Sequence, residues 1–187
     1  MDKFQVFFVC TGNRCRSPFA QTMFAGLTAN LPVVVASAGT LESPPAPVPP
    51  EMRLVARDYG LHLSEHRSTR LSSVHLGGAD LVLGFERGHV ESAIAEAGAP
   101  FASTFTLPEM IRLLGNMPVP HETDPVLRGR AMVAEANRLR GGRPRLFKWQ
   151  EMADPFGGSR REFDRMAATV ASLCEMLVAG LFRRKAA

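Results

Sequence analysis

The residues best suited to chemistry are Cys10 and Arg16, which enclose the polar segment Thr11-Gly12-Asn13-Arg14-Cys15. This segment follows the apolar run 4–9 and precedes residues with helical spacing, so we predict a loop between a strand and a helix. Such a loop directs backbone N–H groups toward the positive end of the helix, where phosphate-like anions bind. Thiols in this setting have pKa values of roughly 3.5–7.5. Cys10 is therefore predicted to be a thiolate nucleophile, and Arg16 to hold two oxygens of the anion.

The apolar spacing predicts the elements that position this loop. Short apolar or β-branched runs indicate strands, and apolar residues three or four positions apart indicate helices. The predicted strands are 4–9, 33–35, 79–84 and 101–105, and the predicted helices are 17–29, 50–59, one ending at 97, 107–114 and 163–181. This alternation predicts an α/β fold, a four-stranded parallel sheet flanked by helices in a flavodoxin-like or Rossmann-like three-layer sandwich. Ligands of such sheets bind beyond the carboxyl ends of the strands, where Cys10, Ser37 and Glu86 emerge.

The segment Val9 to Pro18 contains the pattern Cys-x-Gly-Asn-x-Cys-Arg-Ser-Pro, and with it the chain resembles the low-molecular-weight protein tyrosine phosphatases. Further segments typical of that family follow in order: Ser37-Ala38-Gly39-Thr40, Gly60-Leu61 through His66-Arg67, Asp80-Leu81-Val82-Leu83, and Asp154-Pro155. The resemblance implies hydrolysis of phosphotyrosine or other aryl phosphate monoesters on proteins. The reaction would pass through a cysteinyl-phosphate intermediate and require neither a metal nor an organic cofactor.

The resemblance also implies a role for each site residue. Cys10 attacks phosphorus, Arg16 holds the phosphoryl oxygens with the loop N–H groups, and Asp154 protonates the leaving phenolate before it activates water. Asn13, supported by Ser37 and His66, keeps the loop open. The predicted substrate-binding residues are Thr11, Gly12, Asn13, Arg14, Cys15 and Ser17, the last of which hydrogen-bonds the thiolate.

Three loop positions carry further expectations. Gly12 permits a positive φ in the turn. Cys15 is either a small packing residue or the partner of Cys10 in a reversible disulfide that protects the nucleophile. Arg14 is either surface charge or a rim cation that favours an acidic substrate.

Residues 115–148 form a longer connection than the family usually has, and their apolar spacing predicts an inserted amphipathic helix beside the pocket. Its role is left open between a cap, a dimer contact and a structural addition. Asp124-Pro125 in this segment competes with Asp154-Pro155 as the source of the general acid. We favour Asp154, because the resemblance implies a general acid in a loop immediately before the last helix, whereas Asp124 precedes the inserted helix.

The composition of the 187 residues, 45% of them hydrophobic, predicts a single domain over residues 1–187. No apolar run reaches the ~20 residues of a membrane span, and the N-terminus lacks a signal-peptide pattern. With three cysteines, an odd number, these features predict a cytoplasmic protein. The net charge of +4 is interpreted as solvated surface charge, and nucleic acid is not an expected partner.

Two other functions share the loop. Arsenate reductases that relay a disulfide need two further thiols, but no cysteine lies between Arg16 and Leu173. A thiol-coupled arsenate reductase that uses an external thiol stays open as an alternative. A module that binds phosphotyrosine without hydrolysis would lack the nucleophile or the acid, and both Cys10 and Asp154 are present.

Overall fold

Four parallel strands form the central sheet of the computed structural model, which describes residues 2–118, 120–141 and 151–182. The strands are β1 (Phe4–Cys10), β2 (Val33–Gly39), β3 (Leu81–Gly84) and β4 (Thr104–Thr106), in the spatial order β2-β1-β3-β4. The helices are α1 (Arg16–Leu27), α2 (Pro50–Asp58), α3 (Arg87–Ala97), α4 (Leu107–Leu114), α5 (Pro125–Arg140) and α6 (Arg160–Phe182). The predicted α/β class, parallel sheet and internal position of the first strand are confirmed.

Side chains of β1 alternate between the two faces of the sheet, as the strand geometry requires. Phe4 and Phe8 lie in the larger hydrophobic cluster, which contains residues of α1 and α6. Phe7 and Val9 lie in the second cluster, together with apolar residues of α3. The sheet is therefore covered on both faces, and the predicted three-layer arrangement is confirmed.

The carboxyl ends of the strands meet at one edge of the sheet. The parallel register pairs Cys10 with Gly39 and Val9 with Gly84. The loops that follow β1, β2 and β3 therefore emerge side by side at that edge, which is where a doubly wound sheet binds its ligands.

The fourth strand is shorter than predicted. Residues Phe101–Ser103 form a 3₁₀ turn, and β4 begins only at Thr104. The Pro100 carbonyl accepts hydrogen bonds from the Ser103 N–H, at 3.1 Å, and from the Thr104 hydroxyl, at 2.8 Å. These local bonds stabilise a turn where the apolar pattern alone indicated extended chain.

The helix predicted within residues 115–148 is α5, but the expectation that it lies beside the pocket was wrong. Arg130 of α5 forms ion pairs with Asp2 and Asp80, which precede β1 and β3. Arg140 donates hydrogen bonds to the carbonyls of Thr104 and Phe101, at the start of β4. The helix thus lies at the amino edge of the strands, away from the Cys10 loop. Residues 142–148 of the predicted segment are outside the described part of the chain.

The terminal helix α6 is long and apolar enough to cross a membrane by length and composition, and no other helix in the described ranges is. In the fold its apolar stripe is buried against α1, α2, α4 and α5. The buried residues include Phe163, Val170, Cys174, Leu177 and Leu181. This packing is typical of a core helix in a globular protein.

Candidate active site

Cys10 is the last residue of β1, and its thiol lies at the base of the loop that leads into α1. The residue is 2% exposed. Its Sγ accepts the Asn13 N–H at 3.2 Å and lies 3.0 Å from the Ser17 hydroxyl. The predicted contact between Ser17 and the candidate nucleophile is therefore present.

Asn13 holds the loop through contacts on all sides of its side chain and backbone. Its Nδ2 donates to the hydroxyls of Ser17 and Ser37, both at 2.8 Å, and its Oδ1 accepts the Thr69 N–H at 2.9 Å. The ring of His66 donates from Nε2 to the Asn13 carbonyl at 2.9 Å. Asn13, Ser37 and His66 are thus together, as the resemblance implied.

The residue with a positive φ in the loop is Asn13, at 47°, and the conformational freedom of Gly12 is not used for this purpose. Asparagine tolerates the left-handed conformation because its short polar side chain can hydrogen-bond locally. A glycine is needed instead at Gly39 of β2. A Cβ there would lie 2.6 Å from the Thr11 carbonyl oxygen and 2.8 Å from the Asn13 nitrogen. The absence of a side chain lets the end of β2 contact the loop.

Arg16 is fully buried and its guanidinium lies among four acceptors. Nη1 donates to the Glu86 carboxylate and, at 2.7 Å, to the Met152 carbonyl. Nη2 donates to the Thr11 hydroxyl at 3.1 Å and to Asp154 Oδ2 at 2.6 Å. Among the described residues Nε has no acceptor. An unsatisfied buried donor is costly, so Nε retains an unused hydrogen-bonding capacity in the site.

The two Asp-Pro pairs occupy different parts of the molecule. Asp154 reaches Arg16 from the loop before α6, and its Oδ1 accepts the Phe156 N–H at 3.1 Å. Asp124 caps α5, where its Oδ1 accepts the N–H groups of Val126 and Leu127 at 2.8 and 3.0 Å. Only Asp154, of these two, is near Cys10.

A cavity of about 110 Å³ opens above the loop. Its lining consists of Cys10, Thr11, Gly12, Arg14, Cys15, Leu41, Asp154 and Phe156. Leu41 and Phe156 are more than half exposed, so two apolar walls flank the entrance. The Arg14 guanidinium lies 4.9 Å from the centre of the Phe156 ring and donates from Nε to the Pro47 carbonyl at 2.8 Å. The rim of the cavity therefore combines apolar surface with one cation.

A larger cavity, about 290 Å³, is lined by residues of the Asp154 loop and of α6. Its lining includes Glu162, Arg165 and Met166. The described part of that lining contains no thiol, so the chemistry that we predict belongs to the smaller cavity.

The pKa of Cys10 differs from the sequence-based expectation. Burial raises the pKa of this thiol, and the contacts with Ser17, Arg16 and the Asn13 N–H, which lower it, do not compensate. The sequence suggested a lowered pKa because two arginines flank the thiol. In the structure two carboxylates, of Glu86 and Asp154, neutralise the positive charge of Arg16. That expectation was wrong for this arrangement of the site.

His89 was not among the predicted site residues, although it contacts the loop. Its Nε2 lies 3.0 Å from the Thr11 hydroxyl, and the residue is 3% exposed. Burial, together with the positive charge of Arg16, lowers the pKa of His89 to about 4. One feature of the sequence could have indicated His89. It lies in the first turn of α3, which follows β3 at the carboxyl edge of the sheet.

The sequence also did not predict two acceptors of Arg16 hydrogen bonds, the Glu86 carboxylate and the Met152 carbonyl. The Met152 N–H also donates to the Phe85 carbonyl at 2.9 Å, which anchors the Asp154 loop beside β3. Within the described ranges no group of three or more His, Cys, Asp or Glu side chains is arranged to hold a metal ion. The absence of a cofactor stays a prediction.

Residues 5–129 match the sequence profile of the family described as low molecular weight phosphotyrosine protein phosphatase. The chain belongs to this family. The matched residues include Cys10, Arg16, Ser37 and His66 but end before Asp154, whose role rests on the geometry above.

Three named proteins are similar to this chain in sequence. The protein-arginine-phosphatase of Bacillus subtilis is 34% identical over 109 residues, which cover 57% of this chain and 71% of the relative. The probable low molecular weight protein-tyrosine-phosphatase EpsP of Ralstonia nicotianae is 32% identical over 105 residues, covering 56% and 71%. The low molecular weight protein-tyrosine phosphatase A of Mycobacterium tuberculosis is 38% identical over 93 residues, covering 47% and 56%. These names support the phosphatase interpretation over an arsenate reductase or a binding module.

Solved structures share the fold of the chain. The tyrosine phosphatase amsI of Erwinia amylovora superimposes with a TM-score of 0.68 at 18% identity, covering 97% of this chain and 95% of that one. A low molecular weight protein tyrosine phosphatase from T. tengcongensis gives 0.67 at 24% identity, covering 94% and 98%. At these identities the likeness establishes the architecture.

Proposed function

We propose that this phosphatase hydrolyses phosphotyrosine in proteins, through a cysteinyl-phosphate intermediate on Cys10. The observation that carries the proposal is that Cys10 and Asp154 line one cavity and that Asp154 is paired with the buried Arg16. Cys10 is at its base, and the unpartnered Nε of Arg16 is a donor for a phosphoryl oxygen. Asp154 borders the cavity and is 32% exposed, so it can reach a leaving group.

The steps follow from these positions. The Cys10 thiol transfers its proton to a non-bridging oxygen of the phosphate dianion, and the thiolate attacks phosphorus. A P–S bond forms, and the bond from phosphorus to the phenolic oxygen breaks while Asp154 donates a proton to that oxygen. Water then attacks phosphorus, the P–S bond breaks, and Asp154 takes the proton of the water. Arg16 and the loop N–H groups hold the equatorial oxygens in both steps. The phosphoryl group competes with Asp154 for Arg16 Nη2, so Asp154 has to move away from Arg16 when substrate binds.

The walls of the cavity favour an aromatic leaving group over an arginine. Relatives of the chain carry the names of both tyrosine and arginine phosphatases. Leu41 and Phe156 offer apolar surface to a phenyl ring. The guanidinium of phosphoarginine is cationic, and Arg14 at the rim repels a like charge. We therefore propose phosphotyrosine as the substrate.

The role of Asp154 is tested by the dependence of the rate on the leaving group. A general acid contributes roughly 10²–10⁴-fold, and poor leaving groups need it most. We expect Asp154→Ala to lower kcat strongly for phenyl phosphate and much less for nitrophenyl phosphate, whose phenolate needs little protonation. Asp124→Ala is the matched control, because Asp124 caps α5 and has no contact with the cavity. An equal loss on both substrates would argue against acid catalysis by Asp154.

The nucleophile and the substrate class are tested separately. Cys10→Ser should abolish hydrolysis while inorganic phosphate still binds, because the groups that bind the anion are the backbone N–H groups of the loop and Arg16. Turnover in that variant would refute the nucleophile assignment. A phosphotyrosine peptide and a phosphoarginine peptide of the same sequence, compared by kcat/KM, should favour phosphotyrosine, and Arg14→Gln should reduce this preference. A preference for phosphoarginine would assign the chain to the other substrate class.

We also infer that residues 1–187 are one phosphatase domain and that 115–148 is an inserted structural segment. In support, Gly129 allows α5 to approach Phe4 and Phe182 closely, since a Cβ there would lie 2.8 Å from the Phe4 ring.

A cytoplasmic location is likewise our proposal. It is supported by the free thiols of Cys10, Cys15 and Cys174.

A further inference from the structure

The Thr11 hydroxyl lies between two nitrogen donors. Arg16 Nη2 donates to its Oγ1 at 3.1 Å, and His89 Nε2 lies 3.0 Å from the same oxygen. A hydroxyl has two acceptor lone pairs and one hydrogen to donate. If both nitrogens donate, the acceptor capacity of Thr11 is filled and its hydrogen has to find an acceptor elsewhere.

The backbone fixes which nitrogen of His89 carries the hydrogen. The N–H groups of Phe85 and Glu86 both point at Nδ1, at 3.3 and 3.1 Å. Nδ1 therefore has to be an acceptor, and the single hydrogen of the neutral ring lies on Nε2, facing Thr11. Gly84 makes this placement possible, because a Cβ there would lie 2.9 Å from the Cβ of His89.

The hydrogen of Thr11 is available to the cavity. Thr11 is exposed and lines the same cavity as Cys10 and Asp154. Within the described residues its hydroxyl has contacts only with the two donors of Arg16 and His89. With both lone pairs of its oxygen occupied, the Thr11 hydroxyl can form one further hydrogen bond, in which it is the donor.

We propose that Thr11 donates a hydrogen bond to the phosphoryl group of the bound substrate and that His89 is the residue that positions it. The inference rests on the proposed function, since it takes a phosphoryl group as the ligand. It adds a side-chain donor to the loop N–H groups and Arg16. It also gives His89, outside the loop, a defined part in anion binding.

Two pairs of variants separate the donor from its positioning residue. Thr11→Val removes the hydroxyl with little change of shape, and Thr11→Ser retains it. His89→Asn retains an acceptor near the position of Nδ1 for the two backbone N–H groups but removes the Nε2 donor. His89→Gln does the reverse, because its amide nitrogen reaches the position of Nε2.

The affinity for inorganic phosphate is measured by competitive inhibition of nitrophenyl phosphate hydrolysis, together with KM, kcat and the thermal unfolding midpoint. A hydrogen bond to a charged group predicts that Thr11→Val binds phosphate about 10-fold or more weakly. His89→Asn should approach that loss, and Thr11→Ser and His89→Gln should recover most of the affinity. Thr11→Val combined with His89→Asn should bind no more weakly than Thr11→Val alone, because both changes remove the same contact.

The outcomes are distinct. Wild-type affinity in Thr11→Val would overturn the donor role, and additive losses in the double variant would overturn the positioning role of His89. Loss of phosphate affinity in His89→Gln but not in His89→Asn would show that the ring only caps α3, and would also overturn it. If the wild-type chain neither hydrolyses nitrophenyl phosphate nor binds phosphate, the proposed function fails and the inference fails with it.

Discussion

The buried imidazole of His89 predicts a specific sensitivity to acid. The folded chain lowers the pKa of His89 from 6.5 to about 4, chiefly by burial and then by the charge of Arg16, while Glu86 and Asp154 act in the opposite direction. Protonation would also turn Nδ1 into a donor that faces two backbone N–H groups. Between pH 6.5 and 4 the unfolded chain therefore binds more protons at this residue than the folded chain does.

The sign and size of the effect follow from linkage. Because the folded-state pKa is depressed, the contribution of neutral His89 is complete above pH 6.5 and is lost as the pH falls toward 4. The full difference is about 3 kcal/mol, of which about 1 kcal/mol is lost by pH 5.5. His66, whose pKa burial also lowers, adds a loss of the same sign. Glu109, whose pKa burial raises, adds an effect of the opposite sign.

The comparison that isolates His89 is urea unfolding of the wild type and His89→Asn at several pH values between 4.5 and 8. The asparagine does not titrate, so the stability difference between the two chains should shrink by about 1 kcal/mol from pH 8 to pH 5.5. Thr11→Val is the control, because it removes the partner of Nε2 but leaves His89 able to titrate. Parallel stability curves for the wild type and His89→Asn would refute the reasoning.

Three further predictions concern Asp124, Arg16 and Cys15. Asp124→Ala should cost about 1 kcal/mol of stability in urea unfolding through the lost α5 cap, with kcat almost unchanged; an inactive but stable variant would contradict this. Arg16→Lys should lower kcat/KM for nitrophenyl phosphate by about 100-fold or more, because one ammonium cannot replace several directed donors; near-normal kinetics would remove Arg16 from the site. Mild peroxide should inactivate the enzyme reversibly, and Cys15→Ser should recover less activity after a thiol reductant; equal recovery would make Cys15 a packing residue.

The parts of the site that the sequence predicted are those set by local spacing. A strand that ends at Cys10 and a helix that begins at Arg16 place the short loop between them at the N-terminus of α1, where anions bind. Ser17, one residue into α1, then contacts the thiol. The contacts of Asn13 with Ser37 and of His66 with the loop lie farther apart in sequence, and they were predicted only through the family resemblance.

The parts that the sequence did not predict depend on contacts between side chains that are far apart in the sequence. The neutralisation of Arg16 requires Glu86 after β3 and Asp154 before α6 to converge on one guanidinium. No spacing in the sequence encodes that convergence. The raised pKa of Cys10 comes from burial, which depends on the packing of the whole site. His89 was missed for the same reason, since its contact with Thr11 spans 78 positions.

The position of α5 illustrates a different limit. Apolar spacing identified the helix, and the Asp124 cap matched its start. The packing of the helix depends on shape and charge complementarity, which the apolar period does not contain. Gly129 leaves room for the Phe4 ring, and Arg130 forms ion pairs with carboxylates at the amino ends of the strands. The periodicity fixes that a helix has a buried face but not which surface of the sheet receives it.

The charges around Arg16 connect the arrangement of the site with the chemistry that we propose. Two carboxylates already face one guanidinium, so a thiolate at Cys10 would add a third negative charge to the same buried region, and burial holds the proton on the thiol. An incoming phosphoryl group brings further negative charge to Arg16. The phosphoryl group then competes with Asp154 for the guanidinium, and Asp154 leaves it. A general acid must make this movement to reach the leaving oxygen. The ion pair between Arg16 and Asp154 therefore links phosphate binding to the positioning of the acid.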